Sequence, residues 1–136
     1  MTLICCNMAR FPFIKKQSVR VKGLYFIFYK QFFIDSVVDA FRKYSNSADY
    51  QPVVTSAVDG KHSKWSEHYA GFALDFRIWG FSQAMLEGIC RDMITNLNCL
   101  CRFIDWHIVL EKDHIHLQTS GKNIKKNSKG VYKACG

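Results

Sequence analysis

Apolar positions recur along this chain with two different periods. Phe33, Val37 and Phe41 stand four residues apart with Ile34 and Val38 beside them, while Asp35, Asp39, Arg42 and Lys43 fall largely on the other side. That spacing predicts an amphipathic helix over 30–44. The polar stretch Ser45-Asn46-Ser47-Ala48-Asp49 ends it, and Pro52-Val53-Val54-Thr55 reads as a short strand entering a loop. Residues 56–71 are rich in Gly, Ser, Lys and His and lack apolar periodicity, which predicts a loop. The period then drops to two: Leu74, Phe76 and Ile78 share one face of a strand, and Ala73, Asp75 and Arg77 the other. Ser82 is placed to cap a second helix of about 82–97, with Met85, Leu86, Ile89, Met93, Ile94 and Leu97 as its apolar stripe. Strands near 103–110 and 114–118 follow, joined by the polar turn Glu111-Lys112-Asp113. The order helix, strand, strand, helix, hairpin predicts an α+β fold, a small antiparallel sheet packed on helices.

Length and composition narrow this little further. With 136 residues, the chain has room for one domain. It is too apolar and aromatic for disorder and too poor in Gly and Pro for a fibrous protein. The aromatic run from Gly23 to Phe33 is interrupted by Lys30 and closed by Asp35, well short of the ~20 residues of a spanning helix. A buried segment is expected there. Leu3-Ile4-Cys5-Cys6 is likewise far shorter than a secretory apolar region of roughly 7–15 residues. The six cysteines contain no C-x-x-C, so neither a zinc ribbon nor a thioredoxin-type pair is indicated, and reduced, apolar-behaving thiols are expected.

Charge changes the picture more. The formal net charge is +8, but residues 1–34 and 114–136 carry no acid, and all eleven Asp and Glu lie between. The chain therefore divides into a basic N-terminal extension (1–22), a domain (23–120) and a basic, flexible tail (121–136). Chemistry is to be sought in the middle.

All five histidines lie between positions 62 and 116. Taken singly, a loop histidine is ordinarily structural or exposed, and a strand aspartate is ordinarily paired or solvated. The combination says more. His114 and His116 are an H-x-H on a strand, so both rings share one face. His68 at the end of a loop, Asp75 on the polar face of a strand and His116 on a second strand offer two imidazoles and one carboxylate. Three protein ligands with an open fourth position are what a hydrolytic zinc site needs. Ile115 and Leu117 point the other way, into the core.

The pattern Ser66-x-His68-x-x-Gly71-x-Ala73-x-Asp75, followed by Asp113-x-x-His116, resembles the zinc D-Ala-D-Ala peptidase family. That family includes D-alanyl-D-alanine carboxypeptidases and dipeptidases and phage endolysin endopeptidases, and the Hedgehog signalling domain shares its fold. Asp59-Gly60-Lys61-His62, His68 to Arg77, and Val109 to His116 look most like small phage-type members. The likeness spans roughly 50–120 and leaves residues 1–25 and 122–136 uncovered. It implies a Hedgehog/DD-peptidase-like fold and one Zn2+ held by His68, Asp75 and His116. Asp113 takes the general-base position, with Glu111 as its competitor, and His114 donates a hydrogen bond to substrate or tetrahedral intermediate. Strict alternation puts Asp113 on the Ile115 face, so the turn or a bulge has to redirect it.

Many relatives carry a substrate-binding arginine shortly after the Thr55-Ser56 position. Here Ala57, Val58 and Asp59 follow, with no arginine until Arg77. Lys61 or His62 would substitute, with Ser66 beside them as a further substrate-binding group, although a lysine lacks the bidentate fork. This favours an endopeptidase over a carboxypeptidase. His107, next to Trp106, reads as structural.

The implied function is hydrolysis of peptide bonds in peptidoglycan stem peptides. The alternative is a non-catalytic zinc-binding interaction module of the same fold. Lys122, Lys125, Lys126, Lys129 and Lys133 would then attract the anionic polymers of a cell wall, unless they only solubilise the tail. A nucleic-acid partner ranks lower, because no recognised motif accompanies the charge. No export signal is legible; the resemblance suggests a phage-encoded enzyme made in a host cytoplasm and acting at the wall.

Overall fold

The stripe Phe33, Val37 and Phe41 becomes the buried side of helix α1 (Gln31–Tyr44), as its period requires. Helix α2 (Gln83–Leu100) begins where Ser82 predicts: its Oγ accepts from the Met85 N–H at 3.2 Å. The structure is a computed structural model describing residues 10–59, 66–122, 124 and 130–133. Six strands accompany the helices: β1 (Ile14–Lys15), β2 (Val53–Ser56), β3 (Ala73–Arg77), β4 (His107–Leu110), β5 (His114–Gln118) and β6 (Val131–Lys133). They form one sheet in the order β1-β2-β3-β5-β4-β6.

The α+β class is as expected, but the sheet is mixed. Every pairing is antiparallel except that of β1 with β2. A parallel pair needs a long crossover, and α1 lies between those two strands in the chain.

One face of the sheet, with Val54, Leu74, Phe76, Ile108, Ile115 and Leu117, meets the apolar stripes of both helices. Aromatic rings fill the junction: Phe33 stacks on Trp106 at 5.6 Å between centroids, and Phe76 meets Phe13 at 5.4 Å and Phe41 at 5.8 Å. Phe28 and Phe33, from the aromatic run, are wholly buried, the first in a 3-10 turn over Phe26–Tyr29. The helices pack closely where Gly88 meets the Tyr44 ring, since a Cβ there would overlap it.

The outer limits of the domain differ from the expectation. Residues 10–22 are not a separate extension. Phe13 and Val19 are buried, Lys16 N–H donates to Val54 O at 3.0 Å, and Val58 N–H donates to Arg20 O at 3.0 Å. A basic composition hid them because their few apolar residues lack a period. Likewise β6, inside the expected tail, adds an edge strand against β4. The strand foreseen from 103 starts only at His107, because Phe103 is fully exposed. Among the described residues no helix is long and apolar enough to cross a membrane.

Candidate metal centre

β3 and β5 run antiparallel with Asp75 directly opposite His116. Leu74 and Phe76 on one strand, and Ile115 and Leu117 on the other, are anchored in the core. Period two therefore turns Asp75, Arg77, His114, His116 and Gln118 to the opposite face. His68 arrives from a tight turn, in which Ser66 Oγ accepts from the His68 N–H at 3.2 Å and Gly71 N–H donates to His68 O at 3.0 Å. Gly71 has φ +82°, and a Cβ on it would overlap the Gly23 carbonyl oxygen. Only glycine meets both demands. The register of β2 against β3 slips between Val54 and Ser56, and the chain just beyond offers the Ala57 carbonyl to His68. Buried Asp59 holds this bend, accepting from the backbone N–H of Ala57 and of Arg20.

Three ligand atoms converge. His68 Nε2 lies 3.0 Å from Asp75 Oδ1 and 3.1 Å from His116 Nδ1, and His116 Nδ1 lies 2.8 Å from Asp75 Oδ1. His68 and Asp75 are buried and His116 is half-buried.

The partners on the far sides of the rings fix what these atoms can be. Ala57 O, 2.7 Å from His68 Nδ1, can only accept, so Nδ1 carries the hydrogen. The Gln118 amide donates to Ser120 O at 2.6 Å and to Lys122 O at 2.8 Å, which leaves Oε1 to accept from His116 Nε2 at 2.7 Å. In the neutral tautomers set by these bonds, both inward nitrogens are lone pairs aimed at a carboxylate oxygen. Three acceptors at such distances repel unless a cation lies among them.

The acid–base behaviour agrees. With no other cation in the cluster, burial pushes the Asp75 carboxyl up, but His116 and His68, once protonated on their inward nitrogens, outweigh it by hydrogen bond and charge and hold Asp75 well below the usual carboxylate range. Burial pushes His116 down, yet the hydrogen bond and the charge of Asp75, with Gln118 helping, together outweigh that and raise it above an ordinary imidazole. A proton is thus the cation of last resort in this cluster, and a divalent ion can take its place. The three residues are those that the sequence singled out.

The other expected residues divide. His114 shares the face, with Nε2 at 3.6 Å from Asp75 Oδ2. Asp113 stays outside the cluster: its side chain is 85% exposed and its Oδ1 is 2.6 Å from His114 Nδ1. The turn does redirect it, but onto His114 and not onto the ligands. The bond to His114 holds its carboxyl below the usual range. Glu111 is exposed, and its backbone N–H closes the turn on His114 O at 2.9 Å. Ser66 caps the turn that carries His68, which is a structural role. Lys61 and His62 lie outside the described residues, as do Lys125, Lys126 and Lys129.

His107 is nearly enclosed, with Nε2 3.0 Å from Asp105 Oδ2 but not aligned for a hydrogen bond. Gln118 and the Ala57 carbonyl were missed by sequence reasoning. The extended pattern His114-x-His116-x-Gln118 was a usable signal for the first; a backbone carbonyl leaves none. No protein-family model, curated protein or solved structure matches this chain.

Proposed function

We propose that this chain is a zinc-dependent peptidase that hydrolyses peptide bonds in bacterial peptidoglycan stem peptides, as the sequence motifs imply. One observation carries the reading: His68 Nε2, Asp75 Oδ1 and His116 Nδ1 meet within 3.1 Å, with both ring protons tied to acceptors on the far sides. Two imidazoles and a carboxylate suit Zn2+, and three ligands leave a position open for chemistry. Zinc held there supplies a Lewis acid for a scissile carbonyl and makes water a nucleophile near neutral pH.

The chain's own groups do the rest. His68 and His116 arrive with lone pairs already directed, so little is reorganised. His114 faces the same space and is placed to take and return a proton at the reacting groups. Asp113 acts through it, fixing the His114 tautomer by the Nδ1 bond. This assigns Asp113 a positioning role where the family pattern implies a direct base. Lys122 and Lys133, both exposed, would help to hold the protein near an anionic wall polymer.

The test is metal analysis together with digestion of purified peptidoglycan, with fragments read by mass. Wild type should bind zinc and release cleaved stem peptides, and chelator or His116→Ala should abolish both. Full cleavage by His116→Ala would overturn the proposal.

One observation favours the second reading, a zinc-binding module without hydrolysis: Asp113, the carboxylate at the base position, is largely exposed and bonds His114 and not the cluster. Full zinc occupancy with no cleavage of any stem peptide would establish it.

A further inference from the structure

Arg77 ends β3 on the same face as Asp75 and stands directly across from His114 in the β3–β5 register. Among the described residues no carboxylate pairs with it. Its Nε is shut off from solvent and has no hydrogen-bond partner. A buried N–H left in that state is costly, and a native structure rarely keeps one without a use.

The guanidinium is nevertheless held in place. Its Cζ lies 3.7 Å from the centre of the Trp79 ring. Trp79 belongs to the turn that leaves β3, where Phe81 N–H donates to Ile78 O at 3.4 Å. Gly80, with φ +84°, supplies the left-handed residue this turn needs. The indole is 71% exposed, far from the usual fate of a tryptophan. Stacking fixes the plane of the fork, and among the described residues no acceptor takes its terminal Nη groups, which leaves that end of the fork for an incoming acceptor. A planar, bidentate donor without an acid of its own suits a carboxylate.

We infer that Arg77, stacked on Trp79, is a carboxylate subsite beside the metal centre. It takes an anionic group of the peptide close to the bond that is cut. As a statement about substrate, this rests on the peptidase reading. Alternate strand residues on one face are about 7 Å apart, roughly two residues of an extended peptide, which limits how far that group lies from the metal ligands. Two sources have this chemistry: the free C terminus of a peptide and a side-chain carboxylate within it.

The experiment is calorimetric binding to the zinc-loaded full chain of three small probes that cannot be cut at a peptide bond between residues. N-acetyl-D-alanine carries a terminal carboxylate, N-acetyl-D-isoglutamine only a side-chain carboxylate, and N-acetyl-D-alanine amide none. Wild type should bind at least one of the acids about tenfold or more tighter than the amide. Arg77→Gln should erase that preference with zinc content unchanged, and Arg77→Lys should restore it only in part. Whichever acid binds tighter identifies the source. Equal binding of acids and amide by wild type, or a preference intact in Arg77→Gln, overturns the inference. Peptidoglycan digestion run in parallel separates the two claims. Arg77-dependent preference without cleavage removes the peptidase and keeps the subsite; cleavage without Arg77 dependence does the reverse.

Discussion

At the scale of single residues, the centre depends on groups that touch no substrate. Gln118 is almost wholly buried, and its amide is spent on Ser120 O and Lys122 O, so its carbonyl oxygen has one orientation. That orientation decides which nitrogen of His116 keeps a lone pair. Gln118→Met should therefore weaken zinc binding by about 10–100-fold, measured by competition with a chromophoric chelator. Gln118→Glu keeps an acceptor for His116 but loses both donors to Ser120 O and Lys122 O, so its affinity should fall between those of Gln118→Met and wild type. Equal affinity for Gln118→Met and wild type would show that the His116 tautomer does not matter. The three candidate ligands themselves were legible as residue types at a spacing. Gln118 was not, because a glutamine on a strand is ordinarily just a polar residue and its role exists only once the Ser120–Lys122 backbone curls under it.

At the scale of elements, the strands are rigid and the turn carrying His68 is the weak joint. β3 and β5 align Asp75 with His116 through the antiparallel ladder, and apolar neighbours lock both from behind. His68 depends on Gly71, whose carbonyl accepts from Tyr25 N–H at 2.8 Å, so the turn is fastened to the segment before α1. Gly71→Ala adds a left-handed alanine and a clash with backbone, and should destabilise the fold by about 2 kcal/mol or more, read from denaturant unfolding. Metal affinity should fall in the same variant, since the joint moves one ligand and not the other two. An unchanged unfolding midpoint would remove Gly71 from the account of the site. Both helices and β3 were legible because their faces differ in polarity at a regular period. β1 and β6 were not, since two- and three-residue edge strands are too short to show one.

At the scale of the whole molecule, a single aromatic core holds the sheet against both helices and leaves the outer face of the sheet to chemistry. Cys90 reports on that core. It is completely buried on α2, and burial pushes its thiol up to about 12. Thiolate is then negligible at pH 8, so Cys90 should resist alkylation in the native protein and react only on unfolding, while exposed Cys99 reacts at once. Peptide mapping by mass after a short alkylation checks this, and rapid native labelling of Cys90 would mean that the α2 face is not enclosed as described. From the amino-acid order alone came the α+β class, the two helices, the central strands and the three residues that could hold a metal ion. These follow from local periodicity and from side-chain chemistry, which travel with the chain. Tertiary structure alone decided that Ile14–Lys15 and Val131–Lys133 join the sheet, that Phe13 and Val19 join the core, that Asp113 turns to His114, and that Arg77 stands beside the centre with no carboxylate partner among the described residues. The strand pairings depend on contacts between segments distant in sequence, and the Asp113–His114 bond on the geometry of a tight turn; no pattern of polarity encodes which strand edge, carbonyl or ring a side chain will meet.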